Sequence, residues 1–471
     1  MMPAEHEHSR HGMHGHEHGR AAPGGARPHG PGFASPQQAM QAPREEFCYV
    51  SCMYRGTGID APDHLAVVDL HPDSDRYGQV IHRTVMPYVG DELHNFGWQA
   101  CSGASDCVDC VREHLIVPGL GSSRVYVLNV AVDARRPELD RVIEPALLMR
   151  KTGYSRPHTV HCMPGGIIVI SMLGDRDGDA PGGLAVLDAH TFDVLGRWEE
   201  DRGAQALMYD FWYQPRAGVM FSSEWAPPCV FEPGFKLEDV QAGLYGQRMH
   251  VWDLKERRVL QTVDLGGNGL VPLAVRGLHD PAADEGYVAA AQSSTLWHWH
   301  RSPDGFAFDQ VVAVDSQPLA GWPLPVPGLI TDQVISMDDR YLYFSNWFHG
   351  DIRQYDISDR AHPRLHSQVW AGGLFREVLH RGRRLSGGPQ MLQLSLDGLR
   401  LYATNSLYSS WDNQFYPGLE SWMLKIEIDP TDGRMRLDPD FLVDFGDGPS
   451  GPARAHEMRL PSGDPTTEIF Q

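Results

Sequence analysis

From Phe47 onward the apolar residues fall in short, β-rich runs bounded by Gly, Pro, Asp and Asn, and no long stretch keeps a helical period. The pattern predicts an all-β body. A strand ending near an Asp, a turn and a second strand recur in LAVVDLHPDSDRYGQVIHR, SRVYVLNVAVDARRPELDRVI, GLAVLDAHTFDVLGRWE and MHVWDLKERRVLQTVDL. Each reads as the outer hairpin of one propeller blade. Segments with a polar start, a Pro or Asp-Gly turn and an apolar strand precede such hairpins: HTVHCMPGGIIVIS, YDFWYQPRAGVMFSSEW, LHDPAADEGYVAAA, ITDQVISMDDRYLYFSNW and PQMLQLSLDGLRLYATNS. With a first start near ELHNFGW and a last near ARAHEMRLP, they give seven inner strands.

The last inner strand begins too close to the C-terminus to build a blade, while LAVVDLHP to QVIHR is an outer pair with no inner strand before it. The two chain ends are therefore expected to complete one blade. That closes a seven-bladed β-propeller and leaves only short, protected sheet edges. A pair of β-sandwiches or a β-solenoid is the alternative; spacing of roughly 50 residues favours the propeller.

Residues 1–43 depart from this pattern, being rich in His, Gly, Pro and Ala with almost no large aliphatic side chains. Such a segment cannot repay the entropy of ordering, and a disordered tail is expected before a propeller domain of residues 44–471. Its tract His6, His8, His11, His14, His16 and His18 is either a metal-capturing arm or an incidental, tag-like run. The formal charge of −21 argues against nucleic acid as a partner. No run of eighteen apolar residues and no signal-peptide pattern occurs, so no membrane span is expected and the cytoplasm is the expected compartment.

Seven cysteines (Cys48, Cys52, Cys101, Cys107, Cys110, Cys162 and Cys229) are an odd number in a large chain, which predicts reduced thiols over a disulfide framework. Cys107 and Cys110 form a CxxC with no second one nearby, a weak zinc or redox signal that unremarkable loop thiols explain better.

Inner strands line a propeller's channel, so their first residues converge at one mouth. Aligned on the following turn, His158, Asp210 and Asp332 share a blade position, with His161 three residues after His158. His94 and His456 stand at corresponding starts, His279 is offset by several residues, and Glu224 and His349 follow inner strands on loops. Imidazoles and carboxylates gathered at one mouth make a candidate transition-metal site. Each histidine alone is also explained as a packed, hydrogen-bonded residue. Cys162 points to the opposite strand face from His161. Trp212, Trp225, Trp322, Trp347 and Trp411 are expected to pack blades, with a small apolar pocket walled by some of them as the alternative role. No nucleotide loop or GxSxG elbow is present. A metal-dependent lactonase would need a site richer in carboxylates or Asn.

The segments PREEFCYVSCMYRGTGIDAPDHLAVVDLHP, DELHNFGW, YDFWYQPR, GLYGQRMHVWD, PGLITD, YFSNWFHGDIRQYDISD, GGPQMLQLSLDGLRLY and FLVDFGDGP resemble the selenium-binding protein family, from about Pro43 to the C-terminus. The resemblance implies methanethiol oxidase activity, in which methanethiol, dioxygen and water give formaldehyde, hydrogen sulfide and hydrogen peroxide, with copper as the metal. Carried onto this chain, it places copper among His94, His158, His161, His349 and His456. Copper would bind the thiolate and pass electrons to dioxygen, while Asp210, Glu224 or Asp332 orient ligand imidazoles or take the methyl proton. Vertebrate relatives carry a cysteine implicated in selenium binding just before QVIHR; here Gly78 stands there. Bacterial oxidases of this kind are exported, and no export signal accompanies the resemblance here. A non-catalytic selenium or metal carrier, or a propeller scaffold for a partner, is the alternative.

Overall fold

The computed structural model describes residues 31–107 and 109–471; the tract from His6 to His18 lies outside them. Seven four-stranded antiparallel sheets form the seven blades of a β-propeller. The innermost strands are buried on both faces between neighbouring blades: every residue of Ile330–Ile335 and of Arg454–Arg459 is buried. The outermost strands, such as Arg258–Asp264, face solvent, and no residue of that strand is buried. This gradient from hidden to wetted strands is what wrote the repeating pattern into the sequence.

Closure runs as expected. Arg454–Arg459 is the inner strand of a blade whose other strands, Phe47–Met53, Pro62–Asp69 and Val80–Val89, come from the beginning of the body. The seam pairs Tyr49 with Arg459 and Cys52 with Ala455, with a bulge between. One inner strand lies upstream of the patterned segment: it is Pro272–Gly277, not LHDPAADEGYVAAA, whose start forms the turn before Glu285–Ala290. His279 is offset for that reason. Its backbone N–H donates to Asp339, and its Nε2 meets the Ile335 carbonyl at 3.1 Å.

Residues 33–42, which composition assigns to the tail, are packed instead. Ser35 caps the helical turn Pro36–Ala39, and the Phe33 N–H donates to Ser102 Oγ at 2.8 Å. Ala39 is fully buried in a cluster with Met337, Leu396 and Phe470. A few apolar side chains suffice here because the body supplies the other half of the cluster, which composition averaged over a window cannot register.

Next to this segment, buried Glu45 accepts two hydrogen bonds from Arg400 (2.6 and 2.8 Å) and one from Tyr402 Oη (2.6 Å). Glu45→Gln removes the charge but little volume, leaving Arg400 only Asp397 as a carboxylate partner. A loss of about 2–3 kcal/mol is expected, read as a lower urea midpoint at unchanged slope.

The expectation of reduced thiols is corrected for four cysteines. Cys101 is bonded to Cys162 and Cys107 to Cys110, while Cys48, Cys52 and Cys229 are free. Cys101 and Cys162 stand 61 residues apart, on different blades, and their pairing follows from blade adjacency that no local spacing announces. Among the described residues, no helix is long and apolar enough to cross a membrane.

Candidate metal centre

Three of the histidines marked by the pattern meet at the channel. His158 lies on the inner strand Tyr154–Met163 and His456 on Arg454–Arg459. His94 precedes the short strand Gly97–Trp98, its carbonyl accepting from Ser51 Oγ at 2.9 Å. The His94 and His456 rings stack with centroids 3.6 Å apart, and His94 lies 5.2 Å from His158. All three are buried.

Hydrogen bonding fixes two tautomers. His456 Nδ1 is 2.7 Å from the Ser406 carbonyl, which only accepts, so Nδ1 carries the proton and Nε2 keeps its lone pair, with the Asn95 side-chain amide 3.3 Å away. Thr159 donates its single hydroxyl proton to Asp210 (2.9 Å) and must accept from His158 Nδ1 (3.1 Å). His158 Nε2 is thereby left bare, buried and without a partner; His94 Nδ1 is also buried without a partner. Burial holds all three imidazoles neutral: it pushes His158 down to about 4, His456 down to about 3 and His94 well below its usual value, with His456 and His158 adding to the effect on His94.

Neutral imidazoles whose second nitrogen donates to a carbonyl, or to a hydroxyl tied to a carboxylate, are built as transition-metal ligands. Buried nitrogens left unpaired are otherwise costly. The donor set therefore has the chemistry of a transition-metal site. As placed, the three rings' nitrogens do not all fall within 4.8 Å of one another. Among the described residues no side-chain hydrogen bond anchors the His94 ring, which is held by packing on His456 and Tyr408.

The other marked residues have different surroundings. His161 shares a strand with His158, but its ring packs edge-on against Phe211 (5.0 Å) and Trp212 (5.7 Å), with Nε2 buried and unpaired. His349 meets the Val326 carbonyl at 3.2 Å and packs on Phe375. The structure brings neither to the group of three. Glu224 faces His250 Nε2 at 2.9 Å and accepts from the Arg248 N–H, away from the three imidazoles.

Asp210 and Asp332 do converge, on Arg276. Arg276 Nη1 is 2.6 Å from Asp210 and Nη2 is 3.5 Å from Asp332. Each carboxylate also accepts a backbone N–H from the next blade's inner strand: Val275 for Asp210 (3.0 Å), Leu392 for Asp332 (2.8 Å). Burial favours the protonated form of both. Arg276 outweighs it at Asp210, which sits below its ordinary value, whereas Asp332 is pushed up to about 6.

Sequence reasoning missed Thr159, Ser406 and Arg276. Arg276 carried a signal, a lone cation inside the apolar run PLAVRGL; the other two had none. An apolar-walled cavity beside His94 is lined by Tyr209, Trp225, Leu273, Leu407 and Trp411. Trp225 stacks on Phe231 at 3.9 Å, and the helices Pro228–Phe231 and Ser409–Phe415 bring further aromatic rings over the same region. Trp225 and Trp411 thus wall the cavity, while Trp212 packs between blades.

Comparison with known proteins agrees with this architecture. The family described as 56kDa selenium binding protein (SBP56) matches residues 27–471. A protein named methanethiol oxidase from Xenopus tropicalis is 49% identical over 464 residues, covering 94% of this chain and 98% of that one. Selenium-binding protein 2 of Mus musculus is 48% identical over the same shares. The crystal structure of a hypothetical selenium-binding protein from Sulfolobus tokodaii superposes with a TM-score of 0.89 at 43% identity, covering 93% of this chain and 98% of that one.

Proposed function

The chain belongs to the 56 kDa selenium-binding protein family, and from that premise we propose that it is a methanethiol oxidase working with copper at the channel mouth. In the net reaction one methanethiol, one dioxygen and one water give one formaldehyde, one hydrogen sulfide and one hydrogen peroxide. Support for the activity comes from relatives of that name, 48–50% identical over 94% of the chain. The single observation that carries the metal is the cluster of three buried, neutral imidazoles, in which His158 Nε2 and His94 Nδ1 have no protein partner.

His94, His158 and His456 would hold the copper. His349 packs on Phe375 and is not brought to the three, so it is left out of the set. Copper bound there supplies a soft Lewis acid that favours thiolate over thiol, and a one-electron couple toward dioxygen. The chain does the rest. Ser406 fixes the His456 tautomer, and Thr159 passes the pull of Asp210 to His158 Nδ1. Tyr209, Trp225, Leu407 and Trp411 exclude water from the cavity beside His94 and give the substrate methyl an apolar wall. In this reading Asp210 is a positioning residue, Asp332 shares its guanidinium, and Glu224 serves His250.

The test uses protein lacking residues 1–26, so that tail histidines bind nothing, purified from copper-supplemented cells. About one copper per chain and methanethiol-dependent release of formaldehyde and peroxide are expected. Copper-loaded, folded protein that leaves methanethiol untouched would hand the function to the carrier or scaffold reading.

A further inference from the structure

A second group of donor atoms includes none of the channel histidines. Cys107 and Cys110 lie on the loop between the first and second strands, Gly97–Trp98 and His114–Gly119, of one blade. His190 lies in the turn between Gly183–Asp188 and Val194–Arg197 of the next blade. Its backbone is held by Asp188, whose Oδ1 accepts from the N–H groups of His190 and Thr191 (2.9 and 2.7 Å). The cysteine loop is held against the same blade by the Gly165 N–H, which donates to Asp106 (2.9 Å). Gly166, at φ +67°, lies between: a Cβ there would stand 3.7 Å from both Cys107 Sγ and His190 Nε2.

His190 Nε2 is 3.5 Å from Cys107 Sγ and 3.6 Å from Cys110 Sγ. A tetrahedral ion with metal–sulfur and metal–nitrogen bonds of about 2.3 and 2.05 Å sets its sulfur and nitrogen ligands about 3.6 Å apart. Both distances meet that edge length. Among the described residues, no other three His, Cys, Asp or Glu side chains place ligand atoms within 4.8 Å of one another. The sulfurs here are joined as a disulfide, so the site opens only on reduction.

We propose that Cys107, Cys110 and His190, in the dithiol state, form a blade-edge site for a thiophilic d10 cation, Zn2+ or Cu+, with its fourth position open to water or an external ligand. Opening it consumes two equivalents of an external thiol. The Cys107–Cys110 S–S bond breaks, the external thiols leave as their own disulfide, and two cysteine thiols remain. Binding of the cation then displaces their two protons. Cys110 is buried, Cys107 half-buried and His190 exposed, which leaves an approach for the ion from solvent.

The experiment titrates the reduced full chain with Co2+ and then displaces it with Zn2+. Histidine-only sites, in the channel or the tail, cannot give the near-ultraviolet thiolate-to-cobalt band. One equivalent of that band, lost on Zn2+ addition, is expected in the parent. It should be absent in Cys107→Ser/Cys110→Ser, and its half-saturation should weaken by about 10-fold or more in His190→Ala. Methanethiol turnover should survive in all three. No thiolate band in the reduced parent, an undiminished band in the double variant, or unchanged affinity in His190→Ala would each overturn the proposal. Should the double variant unfold, the histidine variant alone decides.

Discussion

Replacing His158 and His456 together by alanine is expected to strip the channel of copper and to lower methanethiol turnover by about 1000-fold or more, about 4 kcal/mol of transition-state stabilisation. Both side chains reach the channel from inner strands that other residues hold in register: Ser51 Oγ accepts from the Glu457 N–H (3.0 Å), and Ser171 Oγ accepts from the Thr159 N–H (2.9 Å). The blades should therefore survive the change, which circular dichroism of the variant would verify. Thr159→Val probes the same centre more gently, since it removes no ligand and only frees His158 Nδ1 from its link to Asp210. Copper retained at reduced affinity, with activity lower by about 10- to 100-fold, is the expected pattern. Full copper and full activity in the double alanine variant would move the metal elsewhere, with His161 and His349 the next to test.

Much of this architecture was legible because a propeller writes itself as a repeat. Polar positions on the inner strands marked the channel, and His158, Asp210 and Asp332 fell into one alignment column because each lies on an inner strand or immediately before one. What the alignment could not supply was direction. Glu224 sits one residue beyond Val219–Ser223 and faces His250 on the neighbouring strand, a pairing across 26 residues. His349 occupies a loop whose course decides that it meets a carbonyl. The second layer was illegible for a different reason: Ser406 acts through its backbone carbonyl and Thr159 through one shared proton, and neither leaves a compositional trace. The cysteines failed in the same way. Cys101 and Cys162 become partners only because two blades lie side by side, and His190 reaches the CxxC across the same boundary.

Arg276 joins channel chemistry to stability, and Arg276→Ala is expected to cost about 3–5 kcal/mol at pH 7.5, because it leaves two buried carboxylates without their shared cation. The pH dependence tests that cause. In the parent, the depressed Asp210 contributes stability that is present above its unfolded value, about 3.9, and fades as pH falls through the lower folded value. Asp332 works the other way: raised to about 6, it binds its proton more tightly in the folded state and draws stability down as pH climbs from about 3.9 to 6. Arg276 lowers both carboxyls against burial, so its loss moves both upward, and a protonated pair needs no cation. The deficit of the variant should therefore be largest above pH 6 and shrink at pH 5, as urea unfolding of parent and variant at pH 5 and 7.5 would read. An equal deficit at both values would assign the loss to the missing side-chain packing against Trp212, 6.0 Å from the guanidinium, and not to buried charge.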